Sequence, residues 1–118
     1  MENTMFKTEL NVLEILWRDG TKTAKEISVE LAETINWNKA TTYTIIKRCV
    51  EKGLIYRLGF DFTCAPALTK EDAQRQEFLA LAEKMFDGST TALLESLVST
   101  LGLEAVASQN HPSTQLTA

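Results

Sequence analysis

The sequence predicts a mainly α protein, and three observations carry that reading. Apolar residues recur at helical spacing over most of the chain, an isolated glycine closes most of those stretches, and β-prone residues cluster only between about 54 and 65. The result is five helices interrupted by one short hairpin.

A first helix is expected over roughly 6–19, with Leu10, Leu13, Ile15, Leu16 and Trp17 apolar. Gly20 ends it, because a left-handed terminal residue suits glycine best. Thr23 and Glu26 then stand at the Thr-x-x-Glu spacing of a capping box, in which each side chain satisfies a free amide of the first turn. The second helix runs from there to about Thr34 and buries Ala24, Ile27 and Leu31. After a break over 35–38, with Asn38 as cap, a third helix spans about 39–52 and stops at Gly53. At 100° per residue, Thr42, Ile45, Ile46 and Cys49 share one face, and Ala40, Tyr43, Thr44 and Lys47 lie on the other. Residues 54–58 and 60–65 predict a two-stranded antiparallel hairpin turning at Gly59 and ended by Pro66.

Beyond Pro66 the helical period returns. Thr69 with Asp72 opens a fourth helix carrying Phe78, Leu81, Ala82, Met85 and Phe86, closed by Asp87 and Gly88. Ser89 caps a fifth, bearing Leu93, Leu94, Leu97, Val98 and Leu101 up to Gly102. From about Ser108 the chain is polar and reads as a disordered tail. The expected organisation is therefore 1–67, 68–107 and a tail over 108–118.

Composition narrows the chemistry. With 118 residues, 44% hydrophobic and 24% charged, the chain matches one soluble domain. Its longest unbroken apolar run, 78–82, is far short of the ~20 residues of a membrane span. No membrane partner is expected, and with no secretory signal in view the cytoplasm is the expected location. Cys49 and Cys64 are too few for a disulfide framework or a thiolate metal site, and the five glycines are all isolated, so no glycine-rich phosphate cradle exists. The one histidine, His111, lies in the polar tail, which excludes histidine-based triads. Neither enzyme activity nor a cofactor nor a metal is expected.

The net charge of −4 is unevenly distributed. Residues 1–60 hold nine Lys or Arg against eight acids, and 61–118 hold three against eight. Between 39 and 57, Lys39, Lys47, Arg48, Lys52 and Arg57 face only Glu51. Cations are thus concentrated around the third helix, whose outward residues Asn38, Lys39, Thr41, Tyr43, Thr44 and Lys47 donate hydrogen bonds to phosphates or base edges. The plainer account of such a surface is a solvated helix face, which would carry more glutamate. Three helices followed by a hairpin is the order of a winged helix, a helix-turn-helix variant whose third helix enters the major groove.

Particular residues sharpen this. The run 9–17 ending in Trp17, the segment Thr23-Ala-Lys-Glu-Ile27, and the spacing of Trp37, Thr41, Thr44 and Arg48 ahead of Lys52-Gly53-Leu54 resemble the penicillinase-repressor family, the BlaI/MecI/CopY type. The resemblance covers roughly 5–101. It implies a homodimeric winged-helix repressor in which residues 38–47 read operator DNA and the two C-terminal helices pair the subunits. The exposed stripes agree, since Phe78, Leu81, Ala82 and Met85 with Leu93, Leu94, Leu97, Val98 and Leu101 exceed what a small winged-helix core can cover. Lys39, Lys47 and Arg57 are assigned to sequence-independent attraction, Asn38, Tyr43 and Thr44 to discrimination, and Thr41 to the DNA backbone.

The chain also departs from the family. The family's wing is longer and basic, whereas 58–62 is short, apolar and acidic, leaving Arg57 as its phosphate contact. Relatives answering to β-lactams are cut by a sensor protease at an Asn-Phe bond, and this chain contains no such pair. Copper-responsive relatives carry C-terminal Cys-x-Cys pairs, and no cysteine follows Cys64. Two other classes stay open at this point: a winged-helix protein-interaction module, and a ligand-sensing regulator with a pocket lined by Phe60, Phe62 or Met85.

Overall fold

Helix starts in this protein coincide with side chains that accept the free amides of a first turn. In the computed structural model, which describes residues 5–102, the helix α1 (Lys7–Asp19) begins where the Phe6 amide donates to Glu9 Oε1 at 2.9 Å. The second, α2 (Ala24–Ile35), has the expected reciprocal box: Glu26 N donates to Thr23 Oγ1 at 3.1 Å and Thr23 N to Glu26 Oε1 at 2.9 Å. Asn36, at φ +61°, ends it in the left-handed conformation that asparagine tolerates. The third, α3 (Lys39–Glu51), is capped by Asn38 Oδ1, which accepts from Thr41 N at 2.8 Å. Thr69 and Ser89 open α4 (Lys70–Met85) and α5 (Thr90–Leu101), their hydroxyls accepting from Asp72 N and Ala92 N at 3.0 Å each.

The sheet is larger than the expected two-stranded hairpin. Strands β2 (Ile55–Leu58) and β3 (Thr63–Pro66) pair antiparallel, with Arg57 opposite Cys64. A third strand, β1 (Lys22–Thr23), pairs with the outer side of β3, giving the order β1-β3-β2. Pro66 is the last residue of β3 and still pairs, opposite Ile55. It sits beyond the two residues that β1 covers, so its missing N–H leaves no partner unsatisfied, and the next amide, Ala67 N, donates to Leu54 O at 2.9 Å.

The described chain forms two compact units that meet at Gln76–Glu77, within α4. The first has a continuous core in which Val12, Leu13 and Leu16 of α1 meet Ala24, Ile27 and Leu31 of α2, Ile45, Ile46 and Cys49 of α3, and Leu54, Ile55 and Cys64 of the sheet. Trp17 Nε1 donates to Leu68 O at 2.9 Å, fastening the segment after β3 to α1. One charged side chain lies inside. Glu9 is fully buried, and Lys52, just past α3, donates from Nζ to Glu9 Oε1 at 2.8 Å. The ammonium also sits 4.7 Å from the Phe6 ring centroid. The other oxygen, Glu9 Oε2, has no hydrogen-bond partner among the described residues.

In the second unit only Ala82 and Leu93 are buried among the described residues. The turn between its helices is closed by Gly88 N donating to Ala82 O and Ser89 N to Phe86 O. Among the described residues no helix is long and apolar enough to cross a membrane. The expected tail, with His111, lies outside the described residues.

Candidate nucleic-acid interface

The third helix divides as its 100° periodicity requires. Thr42, Ile45, Ile46 and Cys49 are buried, whereas Lys39, Thr41, Thr44 and Lys47 are exposed and Tyr43 is half-buried at the boundary. Tyr43 is held from the sheet side: Phe62, in the turn between β2 and β3, meets its ring edge-on with centroids 5.8 Å apart. The Arg57 guanidinium lies over the Phe62 ring, 4.0 Å from its centroid. Lys39 Nζ lies 5.7 Å from the Tyr43 centroid. Lys39, Tyr43, Phe62 and Arg57 thus form a chain of two touching rings with a cation at each end, which sets the helix against the hairpin. Between them opens a cleft of about 360 Å³ lined by Tyr43, Thr44, Lys47, Arg57 and Phe62.

Several cations of the described surface are paired with acids, whereas those of this face are not. Arg18 is bound to Asp19 and Glu30, Lys22 to Asp19, Lys70 to Glu14, and Arg75 to Asp72. The hydrogen bonds from Arg18 hold the Asp19 and Glu30 carboxyls below the usual carboxylate range. Lys39, Lys47 and Arg57 have no carboxylate within salt-bridge distance among the described residues. A cluster of cations left without internal anions presents donors for an external one.

The structure places three sequence-selected groups differently from a simple wet face. Lys52, counted in the basic stretch, is neutralised by Glu9 and contributes nothing to this patch. Asn38 Oδ1 is committed to capping α3, so only its amide NH2 remains to donate. Phe60, weighed as a pocket-lining residue, is fully exposed, and Met85 is exposed as well. Phe62, weighed as a pocket-lining residue and not among the DNA contacts, does line the cleft beside them. It comes beside Arg57 and Tyr43 only once β2 and β3 pair in register, which neither its type nor its neighbours announce.

Of the residues assigned to subunit pairing, Phe78, Leu81, Met85, Leu94, Leu97 and Leu101 are exposed, as is Leu79; Val98 is half-buried, and Ala82 and Leu93 are already packed within the chain. Both thiols are buried, and burial pushes Cys49 up to about 12 and Cys64 up to about 11, so neither is a thiolate near neutral pH.

Comparison with known proteins gives one consistent picture. A family model described as "Penicillinase repressor" matches residues 6–109. The penicillinase repressor of Bacillus licheniformis is 22% identical over 88 residues, covering 73% of this chain and 69% of that protein. Among solved structures, the monomeric form of Bacillus licheniformis BlaI, in solution with the blaP half-operator, matches with a TM-score of 0.50 and 26% identity, over 58% of this chain and 85% of that one.

Proposed function

Because this chain belongs to the penicillinase repressor family, we propose that it is a homodimeric transcriptional repressor that binds an inverted-repeat operator in double-stranded DNA. The observation that carries the reading is the cleft between α3 and the hairpin, where Lys47 and Arg57, with Lys39 nearby on α3, have no carboxylate within salt-bridge distance among the described residues. A major groove about 12 Å wide admits one helix, and its walls are phosphate.

In this reading, residues 1–67 are the DNA-binding domain and 68–107 the pairing region. The exposed side of α3 enters the major groove. Lys39 and Lys47 attract phosphates from the helix, and Arg57, held flat against Phe62, does so from the hairpin. Thr44 and Tyr43 reach base edges from the middle of the helix, Thr41 reaches the DNA backbone, and the free amide of Asn38 completes the set. The exposed apolar residues of α4 and α5 pair two copies, so that two reading helices lie a helical turn or a multiple apart, roughly 34 Å per turn. Repression follows from occupying the promoter, with no catalytic step, and places the protein in the cytoplasm.

Gel-shift titration against a pool of genomic fragments, repeated at several salt concentrations, tests this. Affinity is expected to fall steeply with salt, because each neutralised phosphate releases counterions. Lys47→Ala is expected to weaken all sequences alike and reduce the slope of log affinity against log salt by about 1, whereas Tyr43→Ala narrows the gap between selected and random DNA. A complex indifferent to salt, or no retarded fragment at all, overturns the proposal.

A further inference from the structure

The hairpin tip carries a phenylalanine with nothing to cover it. Phe60 is fully exposed, and Leu58 just before it is exposed too. The ring is not presented by a loose loop. The four residues joining Leu58 to Thr63 are bracketed by left-handed conformations, φ +69° at Gly59 and φ +55° at Phe62. Phe62 is in turn fixed on both sides of its peptide: its ring packs on Tyr43 and Arg57, and its carbonyl accepts from Ala24 N at 2.9 Å. The one carboxylate of the turn is drawn back across it. Asp61 Oδ1 accepts from Thr63 Oγ1 at 2.8 Å and lies 3.5 Å from where a Cβ on Gly59 would stand. The tip therefore offers an aromatic ring three residues along the hairpin from Arg57, which lines the cleft with Lys47, and the carboxylate neighbouring that ring is engaged by Thr63.

We propose that Phe60 is an aromatic wedge that enters the minor groove beside the major groove occupied by α3. The inference rests on the DNA-binding reading above and adds to it a second groove contact of different chemistry. Arg57 borders the cleft at α3, and the intervening chain carries Phe60 at most about 10 Å further along the hairpin. A phosphate ridge that meets Arg57 therefore lies between the two residues, with the narrower groove on the far side. An apolar ring there has no donor for base edges. It acts by pressing between base steps, which bends the duplex and favours the easily unstacked pyrimidine–purine steps. Selectivity would then extend to positions that no hydrogen bond from α3 reads. The continuity of the tip with the cationic cleft favours DNA as its occupant over a protein surface.

The test uses the full chain, its F60A variant and a duplex recovered by the full chain from a random 30-base-pair pool. End-to-end fluorescence transfer in that duplex reads bending, and titration at several salt concentrations reads affinity and slope. F60A is expected to keep the melting temperature and the salt slope, to bind about tenfold more weakly, in line with the loss of one base–aromatic contact, and to lose the bend. An F60W variant is expected to restore the bend, and its indole to become shielded from acrylamide when the duplex binds. If the parent recovers no duplex, the DNA-binding reading falls and this inference with it. If the parent binds but F60A binds and bends the duplex as the parent does, the wedge alone is overturned; a change in the oligomeric state of F60A, with bending intact, overturns it in favour of a protein contact.

Discussion

The segment up to Gln76 and the segment from Glu77 onward use the same kinds of residue to opposite ends. In the first, fifteen apolar side chains gather into one buried cluster drawn from α1 to α3, the start of α4, the sheet and the segments beside them. In the second, Ala82 and Leu93 alone are buried among the described residues, while Phe78, Leu79, Leu81, Met85, Leu94, Leu97 and Leu101 face solvent. Helical periodicity alone does not distinguish the two. What separates them is the presence, within the same chain, of other elements that return the apolar surface. The first unit completes its own interior, and the second, among the described residues, has the sequence of an interior without the neighbours.

Disrupting the second unit is expected to give the largest effect. Replacing Leu94 and Leu97 together by Glu places charge on the exposed face of α5. Sedimentation is expected to show monomers, with the first unit melting as before, and operator affinity at fixed protein concentration to drop more than about 100-fold as bivalent attachment is lost. If the variant sediments like the parent, the contrast between the units has been misread.

Next in size is a fault inside the first unit. Lys52→Met leaves the Glu9 carboxylate buried without its cation, and urea unfolding is expected to register a loss of about 3–5 kcal/mol. Adding Glu9→Gln is expected to recover much of it, because the uncompensated charge goes. Recovery distinguishes a charge effect from lost packing.

The smallest expected effect concerns the thiols, both of which lie in the first unit. Their ordinary value is 9.0, and burial raises them to about 12 and about 11 in the folded chain. The folded state holds these protons more tightly, so their contribution is complete below about pH 9 and is lost as pH climbs through 11 and 12. Urea titrations at pH 8, 9 and 10 are expected to show stability declining above pH 9, with a shallower decline in a Cys49→Ala, Cys64→Ala variant.

The helices were legible because their ends are marked by chemistry that needs no partner elsewhere. Gly53 takes φ +77°, Thr23 and Glu26 cap each other three residues apart, and Asn38 caps α3 within one turn. The inward position of Thr42 followed from the same local period. The features that were missed are all long-range. Two residues, Lys22 and Thr23, show no alternation, and they become a strand only because β3 passes beside them. Glu9 reads as an exposed helix residue until Lys52, 43 positions later, lies against it. Phe62 joined the candidate site by strand register, and Lys52 left the basic patch by the same kind of distant contact.

The Glu9–Lys52 staple has a mechanical corollary. It links the opening turn of α1 to the residue just past α3, so α3 cannot slide along its own axis without dragging the start of α1 with it. Under the proposed mode of binding, lengthwise play in a groove would alter which base pairs meet Thr44 and Lys47, and the brace would resist such slippage from the far end of the helix.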